Sequence, residues 1–216
     1  MRGIERKDFL LIFSLLLAFF LWWVMFVPRP FNFWAMMAFS TLLLSAVAMI
    51  IYGRSLVPLS EFTLKNVLTG AASAIILYLI FLLGNEFLAL AERLLPEGII
   101  SRESDLAKVY AGAGLLPQWA IALLLIFPIA SGEELFWRGT LQRRLGERFG
   151  AKAAFAVTVL AYTLVHLSTG NLTLILAAFT CALYWGGLYA WRGSLVPVLV
   201  SHMLWDPLIF VLLPMR

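Results

Sequence analysis

Apolar residues run along this chain in long blocks with almost no charge inside them, separated by short polar stretches. A helix of roughly 18 to 20 such residues, rising about 1.5 Å per residue, crosses the hydrocarbon core of a bilayer. The blocks fall at Phe9 to Val27, Phe33 to Tyr52, Val67 to Leu83, Trp119 to Phe136, Ala153 to Leu167, Leu172 to Trp191 and Leu195 to Leu213, which predicts about seven spans. The segment Gly53 to Asn66, with Pro58 and mixed charges, is expected to be a loop or a helix lying in the interface. The longest polar stretch, Gly84 to Gln118, carries Glu86, Glu92, Arg93, Arg102, Glu103 and Lys108, and has room for a short extra helix. The fourth and fifth spans form a hairpin turning near Phe149 and Gly150. No repeat or long linker divides the chain, so the expected fold is one all-α polytopic transmembrane helix bundle, with N-terminal helices and a polar loop over residues 1–117 and a C-terminal core over 118–216.

Composition agrees. Hydrophobic residues make up 62% of the chain and charged residues 13%, well below the charged content of an average soluble domain. The first block follows Arg2, Arg6 and Lys7 as a signal peptide would, but it is too long and leads into Pro28-Arg29-Pro30 instead of a small-residue cleavage site, which predicts a retained helix. The net charge of +4 comes from short basic clusters between apolar blocks, not from one soluble basic face, so nucleic acid is not an expected partner. Those clusters report topology. With alternating helices, one side receives Arg2, Arg6, Lys7, Arg54, Lys65, the basic residues from Arg138 to Lys152, and Arg192; the other receives Arg29, Arg93, Arg102, Lys108 and Arg216. The bias places the N-terminus in the cytoplasm, in a multi-pass protein of the cell membrane. A single cysteine, Cys181, leaves no intrachain disulfide and no multi-cysteine zinc site.

Ionisable side chains inside spans are expensive, on the order of 2.5 to 3.5 kcal/mol each on insertion scales, and each needs a partner or a purpose. Here they gather in three places: Glu133-Glu134 followed by Arg138 at the end of the fourth block, Tyr162 with His166 in the fifth, and His202 with Asp206 in the seventh. Both histidines of the chain are among them. Glu133 and His166 are equally distant from the Phe149–Gly150 turn, so they can lie at one depth, roughly 20 to 25 Å from the tip. His202 and Asp206, at i and i+4, share a helix face. Glu134 and Arg138 have the favourable acid-first spacing of a helix ion pair, with Arg138 as its anchor. Each group alone would suit an interhelical hydrogen bond; together, on three helices at similar depth, they suggest a shared site.

A carboxylate beside an imidazole can hold a water and take its proton, and a second imidazole can donate to the oxyanion that follows. Glu133, His166, His202 and Asp206 would then hydrolyse an amide, with Glu134, Arg138 and Tyr162 in support. Serine or cysteine nucleophiles find no fitting partner spacing around Ser131, Ser168, Ser201 or Cys181. The same four residues have the ligand types of a zinc site, although the helical His-Glu-x-x-His signature is absent. Two other readings stay open: a proton-coupled carrier or binding protein using the same cluster, and a haem held by His166 and His202.

At these residues the chain resembles the CAAX prenyl protease and bacteriocin-processing (Abi) family of intramembrane proteases. That family's pattern of Glu-Glu-x-x-x-Arg, Phe-x-x-x-His and His-x-x-x-Asn or Asp appears here as Glu133-Glu134 with Arg138, Tyr162 with His166, and His202 with Asp206. The flanks Phe136 to Leu141 and Gly187 to Leu195 are similar too. Tyr162 stands where Phe is common, and Asp206 where Asn often stands. The resemblance, over about the last hundred residues, implies an intramembrane endopeptidase acting on a membrane-tethered protein or peptide. In it Glu133 and His166 activate water, and His202 and Asp206 stabilise the oxyanion. The family is described both as metal-dependent and as glutamic, and the glutamic mechanism is the one favoured here, without a firmly implied cofactor.

Overall fold

A computed structural model describes residues 5–96, 99–111 and 116–215; Arg2 and Arg216, counted above for topology, lie outside them. Helix α1 spans Arg6–Phe26, α2 Phe33–Tyr52, α3 Leu64–Leu94, α4 Arg102–Ala111, α5 Gln118–Leu124, α6 Ser131–Phe136, α7 Arg143–Phe149, α8 Ala151–Val165, α9 Leu172–Arg192 and α10 Val196–Pro207. No strand occurs among the described residues. Six helical stretches are long and apolar enough to cross a membrane, and Val196–Leu212 forms a seventh, shorter apolar helix. The protein is therefore a polytopic α-helical bundle of the expected size.

The departures lie in the polar stretches. Helix α3 continues past Leu83 to Leu94, and α4 is the short extra helix for which the stretch before Gln118 had room. Gly53 to Asn66 holds two single 3₁₀ turns, Gly53–Ser55 and Leu59–Glu61, and no interfacial α-helix. The fourth block runs on to Phe149 through α5, α6 and α7, kinked before α6 at Phe127–Pro128 and carried from α6 into α7 by a π-helical segment, Trp137–Gln142. Pro128 lacks a donor N–H and forces its predecessor out of the helical region, and Phe127 accordingly takes φ −152° and ψ 119°. Gly150, at φ +85°, then turns the chain into α8, at the position the charge pattern indicated.

Small residues and buried polar contacts fasten the helices to one another, as lipid supplies no hydrophobic force between them. Gly70 on α3 lets that helix meet α10 so closely that a Cβ there would fall 2.6 Å from both the Pro197 carbonyl oxygen and Val200 Cβ. Beside it the Ser73 and Ser201 hydroxyls meet at 3.0 Å. Gly70→Ala is expected to force α3 and α10 apart and lower stability by about 1–3 kcal/mol, measurable as a shift in thermal unfolding in detergent; an unchanged transition would show that the contact is slack.

One ionic cluster and one hydrogen-bonded carboxylate close the end of the bundle that carries the N-terminus. Arg144 on α7 reaches Asp8 at 2.9 Å, Glu5 at 2.7 Å and Glu147 at 3.1 Å, and Arg148 pairs with the same Asp8. Glu61 accepts hydrogen bonds from the Ser194 hydroxyl and the Leu195 amide at 2.6 and 2.9 Å, tying the α2–α3 loop to the α9–α10 turn. At the other end α4 is fastened to the start of α9: Asp105 accepts from the Thr173 amide at 3.2 Å, and the Asn171 amide group donates to the Asp105 carbonyl at 2.9 Å. Tyr110 donates to the Ile209 carbonyl and accepts from the Met215 amide. Burial holds its phenol above the ordinary value, which keeps the donated proton in place.

Candidate functional site

The polar residues of α6, α8 and α10 converge in the interior in two adjoining groups. Glu133, Glu134, Arg138, Tyr162, His166, His202 and Asp206 are all buried. The short helix α6 carries the two glutamates between the Phe127–Pro128 kink and a π-helical segment, a form of helix frequent at functional sites. Their side chains leave the helix about 100° apart, so each glutamate enters a different group.

Tyr162 organises the first group. Its hydroxyl donates to Glu133 Oε2 at 2.6 Å, while its backbone carbonyl accepts from His166 Nδ1 at 2.7 Å. A carbonyl only accepts, so Nδ1 carries the proton in the neutral ring and Nε2 keeps a lone pair. His166 sits one residue past the end of α8, so its ring is one turn nearer the α8–α9 loop than Tyr162. Trp22 and Phe26 of α1 pack against it, with centroids 6.3 and 6.0 Å away. Glu133 and His166 are thus held at adjacent levels by one intervening tyrosine.

His202 organises the second group. Its Nδ1 lies 2.7 Å from Glu134 Oε1 and its Nε2 lies 3.2 Å from Asp206 Oδ1. Two carboxylates facing one ring call for a donor from each nitrogen, the pattern of an imidazolium. The ring stacks on Trp185 at 3.6 Å, and Trp185 in turn donates to Ser201 at 3.1 Å. Behind them Arg138, fully enclosed, pairs with the same Glu134 oxygen at 2.8 Å and lies over the Tyr162 ring at 5.0 Å. The expected Glu134–Arg138 and His202–Asp206 pairs are both present. Arg138, though, holds the two groups together from within the core and is not one of the basic residues at the membrane surface.

A cavity of about 590 Å³ adjoins both groups. Glu133, Tyr162, His166, His202 and Asp206 line it, whereas Glu134 and Arg138 stand behind its wall. All four residues expected to act on substrate therefore face one space, and two of the three expected in support do not. His202 commits both nitrogens to carboxylates and Tyr162 holds one oxygen of Glu133, and among the described residues no three His, Cys, Asp or Glu side chains are grouped to hold a metal ion. Trp185 and the Tyr162 hydroxyl are the contributors that sequence reasoning missed. Trp185 looks like any lipid-facing tryptophan of an apolar helix, such as the exposed Trp191, while Tyr162 counted only as an aromatic ring.

Residues 115–208 match the family model described as type II CAAX prenyl endopeptidase, Rce1-like. The matched stretch contains every residue of both polar groups, which agrees with the resemblance found in the sequence and supports an intramembrane protease of the CAAX type. No curated protein and no solved structure matches the chain.

Proposed function

We propose, on the premise of a C-terminal core built like a type II CAAX prenyl endopeptidase, that this protein hydrolyses a peptide bond of a membrane-associated protein or peptide with a water activated by Glu133 and His166. The observation that carries the reading is the shared cavity. Glu133 and His166 border it with acceptor atoms, while His202 and Asp206 border it as a hydrogen-bonded pair. With Oε2 engaged by Tyr162, Glu133 has Oε1 left for solvent, and His166 has the lone pair of Nε2. A water donating one hydrogen to each acceptor keeps its own lone pair for a substrate carbonyl.

As the oxygen–carbon bond forms, Glu133 takes the water proton, and the carbonyl oxygen gains negative charge. His202 Nε2 is placed to donate to that oxygen, since its 3.2 Å contact with Asp206 is the longer of its two and can be exchanged for the substrate. Glu134 holds the other nitrogen throughout. When the carbon–nitrogen bond breaks, Glu133 returns its proton to the departing amine. This scheme routes no step through a metal. Purified protein incubated with a peptide library should therefore release cleavage products by mass spectrometry at the same rate with and without a chelator; loss of products in chelator would reject it.

Tyr162 makes a separate prediction. Tyr162→Phe keeps the ring and the backbone carbonyl but removes the donor to Glu133. A hydrogen bond to a charged group contributes about 1.5–3 kcal/mol to stability, so Tyr162→Phe is expected to lower the unfolding temperature and, by releasing Glu133 from its position, to reduce kcat with KM unchanged. A lowered unfolding temperature with kcat unchanged would make the hydroxyl a packing group only.

A further inference from the structure

The residues that line the cavity gather toward one end of the bundle and include exposed side chains there, among them Phe87 on α3 and Lys108 on α4. The cavity wall draws on Phe26 at the end of α1, Phe33 at the start of α2, Leu88 in the last part of α3, and Thr169 and Asn171 in the α8–α9 turn. All of these lie at the end away from the N-terminus. Helix α4 lies beside them with Leu106 and the exposed Lys108, and Arg29 is exposed at the same rim. Among the described residues, no helix contributes its opposite end to the lining. There the interior is filled by Leu141, Gln142 and Leu195, all nearly inaccessible. Gln142 donates to the Gly186 carbonyl at 2.9 Å, sealing α9 against the π segment after α6.

Charge fixes which end is which. Lys7, Arg54, Lys65, Arg143, Lys152 and Arg192 lie at the filled end, against Arg29, Arg93, Arg102 and Lys108 at the other. The richer end faces the cytoplasm. Depth follows from α9: the docking point of α4 at Thr173 is twelve residues before Trp185, which stacks on His202, a rise of about 18 Å. An extended chain at about 3.3 Å per residue covers that with five or six residues.

We infer that the catalytic cavity is entered from the extracytoplasmic face and that its substrate is a membrane-proximal segment of a translocated polypeptide, inserted five or six residues deep. This rests on the proteolytic reading above, and the test separates the two. In a Cys181→Ala background, Ala177→Cys places a thiol in the cavity wall, and Lys152→Cys marks the filled end. A membrane-impermeant charged thiol reagent is applied to sealed right-side-out and inverted vesicles. In parallel, a peptide library bearing a charged impermeant tag is added outside each vesicle type.

The expected result is labelling of Ala177→Cys only in right-side-out vesicles, labelling of Lys152→Cys only in inverted ones, and peptide cleavage only by right-side-out vesicles. Labelling of both thiols from the same face, or of Ala177→Cys from neither, would overturn the entry route. Cleavage by inverted vesicles alone would overturn the substrate class. Outward labelling without cleavage in either orientation would leave the route intact and sink the proteolytic reading, and the substrate class with it.

Discussion

Glu133→Gln is expected to reduce peptide cleavage by about 10³-fold or more while leaving the protein folded, because it removes the proposed base and little else. The amide oxygen of glutamine still accepts from the Tyr162 hydroxyl, now 2.6 Å from Glu133 Oε2, so the local packing survives. What is lost is the ability to hold a proton between the attack on the carbonyl and the departure of the amine. His166→Ala removes the second acceptor of the same water and should fall to a similar level. The double variant should be little slower than either alone, since groups that act as a unit are not additive. Product release measured by mass spectrometry on protein of unchanged thermal stability decides it. Activity within tenfold of the original in either single variant would end the assignment of these two residues.

The second large effect is on folding. Arg138 and Glu134 are both fully enclosed and joined at 2.8 Å, and His202 leans on the same carboxylate. Arg138→Met fills much of the volume but leaves Glu134 with an imidazole as its one charged partner. Removing one member of a buried pair typically costs about 3–5 kcal/mol, whereas replacing both with neutral groups costs far less. Arg138→Met is therefore expected to unfold well below the original protein in a detergent melt, and Arg138→Met with Glu134→Gln to recover part of the difference. Should the double variant be as unstable as the single one, the penalty comes from lost packing around the guanidinium and not from a stranded charge.

Much of this architecture was legible before any coordinates. Hydrophobic blocks and the spacing of polar residues pointed to the number of spans, the hairpin at Gly150 and the set of side chains that meet in the core, because the expense of a charge in lipid leaves few places for it. What stayed hidden is instructive. A π turn has no compositional mark, so the passage of α6 into α7 could not be read from Trp137 to Gln142. Helix α3 runs on to Leu94 through Glu86 and Glu92, residues that a hydropathy window discards although a helix tolerates them outside the hydrocarbon. The pairing of His202 with two carboxylates depended on Glu134 facing away from Glu133, a matter of 100° on one helix that adjacency in sequence obscures. The hydroxyl of Tyr162 could not be told from an incidental difference until its partner was in place.

Asp8 and Glu5 find Arg144 and Arg148 across a gap of some 136 to 140 positions in the chain. Ribosomes add about 5–20 residues per second, so the first helix must wait on the order of ten seconds for the arginines that will hold its acidic start. Trp22 and Phe26 on that first helix wait longer still for His166, and the second polar group is complete only when α10 brings His202 and Asp206. The convergence of the two groups is thus a late event of biogenesis, set by the last helix to be made.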